Sequence, residues 1–277
     1  MGVLLGLLSA LSYGASDFVA GVGGRRSDPN TVTVLAQPWS LLAALLAVLV
    51  MGPRAPHAAE LAWGAVSGLG TAVGTFALYR GLSTARMSVV APVSAVLAAA
   101  LPALVGFATG DRLAWPSWVG IALVLPAIAL VSQHQGDDAE RKRSGLVEGV
   151  TAGAGFGVLF IGLDRAGTGA GSWPLVAGQS VGVLLLLIAA IWLKPTSWSR
   201  AWWPATAAGI LGGAANLLFV AATGAGQLAV VAVITSLYPA ITIVLARALL
   251  HERWSRPQIT GLVIAAAGVM AITLGQP

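Results

Sequence analysis

Four ionisable side chains fall inside stretches otherwise suited only to an apolar medium: Asp17, Arg80, Glu148 and Arg247. Charge placed away from water is costly, so such residues are candidates for proton coupling, gating or contact with a polar solute. Following each helix's direction, all four lie toward the same end of the bundle, where two acids and two bases could form an ion-paired gate. Arg80 and Arg247 are long enough to snorkel to lipid headgroups instead. Glu148 lies near the start of its helix and could merely favour the positive end of the helix dipole. Asp17 has a shorter reach and sits about one turn inside Gly21, which makes it the stronger candidate for chemistry.

A second set is polar but uncharged. Ser12, Tyr13, Thr75 and Asn216 fall near mid-depth of their apolar segments. Gln37, followed by Pro38 and Trp39, is matched in the second half by Gln179. Ser94 follows Pro92, while Thr235, Ser236 and Tyr238 precede Pro239. A proline inside a helix removes one backbone hydrogen bond and frees a carbonyl. Freed carbonyls beside such side chains can line a cavity for a polar solute. For a single Ser or Thr, hydrogen bonding between helices is the simpler use. Trp39 alone among the tryptophans lies well inside a segment, where it could stack on a cationic or aromatic solute or simply pack.

Other chemistries are not supported. With no cysteine there is no thiolate nucleophile, disulfide or thiolate metal site. His57, His134 and His251 are scattered in loops, and no carboxylate cluster has metal-ligand spacing. A phosphate-cradling Gly-Lys-Ser/Thr loop is also lacking. The expectation is therefore no enzyme, no cofactor and no metal. A net charge of +5 invites a nucleic-acid partner, but the basic residues lie in short loops rather than along one face.

The elements that position these residues must be membrane helices. Of 277 residues 57% are hydrophobic and only 9% charged, with a mean hydropathy of +0.86. Soluble domains carry about 25% charged residues. Apolar runs long enough to cross about 30 Å of hydrocarbon lie near 2–22, 31–51, 61–82, 88–109, 115–133, 145–163, 173–193, 203–223, 228–249 and 257–275. The first lacks a basic leader and is read as a retained span rather than a signal peptide.

These ten spans form two related halves. Gly2, Gly6, Ala10 and Gly14 are echoed by Gly145, Gly149, Gly153 and Gly157; Gly110-Asp111-Arg112-Leu113 with Pro116 and Gly120 is echoed by His251-Glu252-Arg253-Trp254 with Pro257 and Gly261. Residue 2 maps to 145 and residue 110 to 251, offsets of 143 and 141. The polar stretch within Gln133–Ser144 separates the copies, giving a first five-helix repeat over 1–136 and a second over 144–277. An odd number of spans per copy makes the repeats inverted. The fold expected is an all-α polytopic membrane protein of ten transmembrane helices in two inverted five-helix repeats. Small residues every four positions let another backbone approach closely.

Loops 1–2, 3–4, 5–6, 7–8 and 9–10, with the adjoining helix ends, hold twelve Lys and Arg residues; the opposite face holds Arg54, Arg112 and Arg165. The positive-inside rule then places both termini outside.

The junction Gly110-Asp111-Arg112-Leu113, its looser counterpart Glu252-Arg253-Trp254, and Ser12-Tyr13-Gly14-Ala15-Ser16-Asp17-Phe18 in the first helix resemble the EamA branch of the drug/metabolite transporter superfamily. The resemblance covers nearly the whole chain. It implies a secondary permease of the inner (cytoplasmic) membrane for small metabolites or drug-like solutes, often an exporter. Characterised relatives generally keep both termini inside, against the charge bias. The reading is alternating access at a cavity between the repeats, with a small-molecule substrate, the lipid bilayer and a candidate proton as partners, as monomer or homodimer. A non-transporting scaffold or sensor and an uncoupled facilitator are the alternatives.

Overall fold

A computed structural model describes residues 1–51, 55–84, 87–132, 145–193, 198–251 and 255–275. Everything described is helix or short connection, with no strand among the described residues. In chain order the helices are α1 (Gly2–Arg26), α2 (Pro29–Met51), α3 (Ala58–Thr84), α4 (Met87–Ala108), α5 (Trp115–Val131), α6 (Leu146–Ala166), α7 (Trp173–Leu193), α8 (Trp198–Gly224), α9 (Leu228–Thr235), α10 (Tyr238–Leu250) and α11 (Arg256–Leu274). Nine apolar spans among the described residues are long enough to cross a bilayer, with α9 and α10 counted together, and the shorter α5 makes a tenth.

Local chemistry explains the repeated junctions. Pro116 and Pro257 fall in the first turns of α5 and α11, where a missing N–H costs nothing. α11 also has a capping box: the Ser255 hydroxyl accepts from the Gln258 backbone N–H, and the Gln258 side chain accepts from that of Ser255. The acid of the first junction has a different task. Asp111 accepts a 2.9 Å hydrogen bond from the Ala229 N–H, so it caps the first turn of α9 from another part of the chain. The second-half residues Glu252-Arg253-Trp254 and the charged stretch within Gln133–Ser144 lie outside the described residues.

The helix partners obey a two-fold exchange of repeats. α1 packs on α8 and α3 on α6; α2 on α8 and α3 on α7; α4 on α6 and α1 on α9 and α10. α2 meets α7 and α5 meets α11 on the axis itself. Along the α5–α11 seam Gly275 lies beside Ser117, Gly268 beside Gly120 and Gly261 beside Val131. Numbers rise on one helix as they fall on the other, as inverted copies require.

The small-residue ladders carry the contacts between each repeat's first helix and the other repeat's fourth span. A methyl added at Gly14 would lie 2.5 Å from Ile241 Cβ and 2.6 Å from the Tyr238 carbonyl oxygen. In the second copy Gly149 faces Val90 and Val93, Gly153 faces Ser94 and Leu97, and Gly157 faces Leu101.

The ninth span differs from the sequence expectation. It is not one helix over 228–249 but two, α9 and α10, with Ser236 and Leu237 between them. Pro239 lies in the first turn of α10 and cannot donate to the carbonyl four residues back, so the α9 ladder ends there. Its repeat mate α4 keeps Pro92 and Pro102 inside one helix.

That break divides the molecule into unlike ends. All eight residues of α9 are buried, whereas α10 buries only Ala240. Ala170 and Ser172 in the α6–α7 turn are also buried. Among the described residues the end holding the two termini is thus the more closely packed around α9. At the other end, where α1, α3 and α10 finish, a methyl added at Gly21 would meet nothing within 4 Å, and Asp17, Arg80 and Arg247 are exposed.

Candidate functional site

The site is built on the inner face of α1. Leu4, Leu8 and Leu11 are exposed on the outer stripe of this helix. At 100° per residue, Tyr13 and Asp17 fall on the opposite side. On that inward stripe Asp17 is nevertheless exposed.

Tyr13 joins three elements. Its hydroxyl donates to Asn216 Oδ1 on α8 at 2.7 Å, and the Asn216 amide donates to the Gly212 carbonyl at 2.9 Å. Its ring meets Tyr238 of α10 at 6.1 Å between centroids, tilted by 54°, and Phe160 of α6 edge-on at 6.1 Å. Phe160 in turn stacks on Phe219 at 4.6 Å. Both phenylalanines are buried and form a floor beneath Tyr13.

Asp17 lies one helical turn beyond Tyr13 on α1. Among the described residues Asp17 makes no hydrogen bond or ion pair, and the Tyr238 hydroxyl makes no hydrogen bond. A carboxylate within a span, with no cation partner among the described residues, is expensive to keep unless something binds it.

The remaining expected site residues divide. Thr235 and Ser236 end α9 beside this cluster and are wholly buried; Ser94 on α4 is 2% exposed. The hydroxyls of Ser94 and Ser236 have no hydrogen-bond partner among the described residues. Thr235 reaches the Gly6 carbonyl at 3.5 Å. Ser12 is engaged elsewhere, donating to the Leu211 carbonyl at 2.8 Å. Ser9 and Ser16 do likewise to Ala215 and Ala208, making a serine ladder that rivets α1 to α8. Gln37 donates to its own repeat mate Gln179 across the axis, so this pair closes the α2–α7 seam. Trp39 packs edge-on against Trp202, 5.7 Å between centroids, and Trp202 is itself exposed on the outside of α8. Thr75, the repeat mate of Asn216, is half-buried on α3.

The four charged candidates do not form one layer. Asp17 is three residues past the middle of α1, about 5 Å from mid-depth, whereas Arg80, Glu148 and Arg247 lie about 12–14 Å out along their own spans. Glu148 is buried with its Cβ against Gly81, next to Arg80. Arg80, Glu148 and Arg247 each have interactions of their own. They frame the mouth; Asp17 lies deeper.

Two concavities lie away from this cluster. One of about 530 Å³ at the closed end is bordered by Arg112, Trp115 and Gln227. Another of about 330 Å³ lies between Phe18, Val22, Arg200 and Trp203 on the outer side of α1 and α8.

The residues that sequence reasoning missed are Phe160, Phe219 and, from the serine ladder, Ser9 and Ser16. One signal was present: Phe160 and Phe156 are the repeat mates of Asp17 and Tyr13, each 143 positions on. The acid and the phenol thus exist in one repeat only, and the site is asymmetric. No described group of three or more His, Asp or Glu residues could hold a metal ion.

Comparison with known proteins agrees with this architecture. The EamA-like transporter family matches the chain twice, over residues 1–133 and 143–274. A solved structure described only as "Crystal structure of protein" is similar over 99% of this chain and 96% of its own, with a TM-score of 0.77 at 18% identity, and shares the fold. No curated protein matches.

Proposed function

We propose that this chain, which belongs to the EamA-like transporter family, is a secondary transporter that exports a small solute by alternating access. The observation carrying this reading is the unlike burial of the two halves of the ninth span. α9 is buried at all eight positions and α10 at one, so among the described residues the inner face of α1 is covered at one end and less covered at the other. Two inverted copies around an axis in the membrane plane can exchange shapes, which would close this end and open the other. The arginine-rich open end is the cytoplasmic one by the positive-inside rule, and the conformation described is then the loading state. Asp17, Tyr13, Tyr238 and Asn216 form the binding cluster in this reading, Ser94 and Ser236 offer unused hydroxyls at the hinge, and Arg80, Glu148 and Arg247 form the gate.

The test is an untargeted comparison of metabolites in medium and cell extract from cells making this chain, its Asp17→Asn variant, or neither. Transport through this cluster requires a solute displaced to the medium by the unmodified chain and not by the variant. Equal displacement by both would remove Asp17 from the mechanism. No displacement, with both proteins shown to be in the membrane, would favour a scaffold or sensor.

A further inference from the structure

Resting on that reading, we infer that the solute is a small organic cation: an amine whose N–H groups face Asp17 and whose positive end lies against the rings of Tyr13 and Tyr238. The accessible part of the cluster has one sign. Asp17 contributes a carboxylate with no hydrogen bond or ion pair among the described residues. Three of the other described acids are committed elsewhere: Asp111 caps α9, Glu60 accepts from the His57 backbone, and Glu148 is buried at the mouth with interactions of its own. Among the residues whose side chains are described, no arginine pairs with Asp17, and Arg80 and Arg247 stand roughly 7–9 Å further out along the bundle.

The groups around Asp17 complete the match. Tyr13 and Tyr238 meet at 54° rather than stacking, so neither face is consumed by the other ring. A cation within about 6 Å of such a ring is attracted to its negative face. Asn216 Oδ1 accepts the hydrogen bond from the Tyr13 hydroxyl, orienting that hydroxyl so that its oxygen can still accept from an ammonium. The Tyr238 hydroxyl oxygen also has no donor among the described residues. Three acceptors and two aromatic rings suit a donor-only cation. An anion would meet an unpaired carboxylate, and a neutral solute would leave it unpaired.

The experiment uses the full chain in proteoliposomes, with tyramine, agmatine and ethanolamine as probes. The matched controls are 4-hydroxyphenylacetate and 4-hydroxybenzyl alcohol. The expected result is accelerated flux of at least one amine and of neither control. Asp17→Asn should cut amine flux by about tenfold or more, as expected for losing a charge-assisted contact. Asp17→Glu should retain most of it, which a misfolded variant would not, and Tyr238→Phe should weaken half-saturation more than maximal rate. Flux of the acid or alcohol, insensitive to Asp17→Asn, would overturn the cation inference while leaving transport standing. Flux of none of the five solutes above empty vesicles, with correctly inserted protein, would overturn the inference itself. The cell-based metabolite comparison decides separately whether the chain transports at all.

Discussion

At the scale of single residues, the strongest dependence falls on Tyr13. Its hydroxyl satisfies Asn216 Oδ1 in a half-buried setting, and leaving such an acceptor unpaired costs about 1–3 kcal/mol. Tyr13→Phe should lower the thermal unfolding midpoint in detergent, whereas Tyr238→Phe, whose hydroxyl makes no hydrogen bond among the described residues, should leave it near the unmodified value. Equal losses from both would contradict the assignment of separate structural and binding roles. Tyr13, Asp17 and Tyr238 were visible in the sequence because each is polar within an apolar run. Their union was not visible, since it needs α1 against α10 and no local pattern encodes that contact. Ser12 shows the converse. It was as conspicuous as its neighbour Tyr13, yet 100° of helix rotation turns it onto the Leu211 carbonyl.

At the scale of elements, the ninth span governs the shape. Pro239 ends the α9 ladder, so Pro239→Ala should restore a helical hydrogen bond and straighten the span. We expect slower transport with an unchanged or raised unfolding midpoint, because the change favours one conformation instead of weakening the fold. A lowered midpoint with unchanged flux would oppose the hinge. Asp111→Ala removes the cap from the buried start of α9 and should cost about 0.5–2 kcal/mol, read as a lower midpoint, while Asp111→Asn should recover much of it. Among the seams, Gly209→Leu should prevent folding outright, since even a methyl there would meet the Ala36 carbonyl oxygen. Its readout is loss of a monodisperse peak in size-exclusion chromatography. Ten spans, their order and the ladders were legible from apolar length and small-residue spacing. The break was half legible: Pro239 announced a freed carbonyl, but the two-residue gap and the complete burial of α9 come from helices distant in sequence.

At the scale of the whole molecule, the inverted repeat was legible from offsets of 141 to 143 and an odd span count. The difference between copies is what the repeat itself hides. Phe160 and Phe156 stand where the first copy has Asp17 and Tyr13, and α4 is unbroken where α9 and α10 part. A symmetric scaffold thereby holds a one-sided site and a one-sided opening. A reporter on the C-terminus active only outside the cell would agree with the charge bias, and one active only in the cytoplasm would reverse the direction of loading.

The most direct test of alternating access uses the absence of cysteine from this chain. Gly21→Cys and Ser172→Cys, made singly, would be probed in oriented membranes with an impermeant maleimide applied to either side. Gly21 faces open space and Ser172 is 2% exposed at the closed end. Alternating access predicts that position 21 reacts from one side only and position 172 slowly from the other. A transported solute should shift the two rates in opposite directions. If both positions react from the same side, or if the rates never move oppositely, the protein does not alternate between two ends.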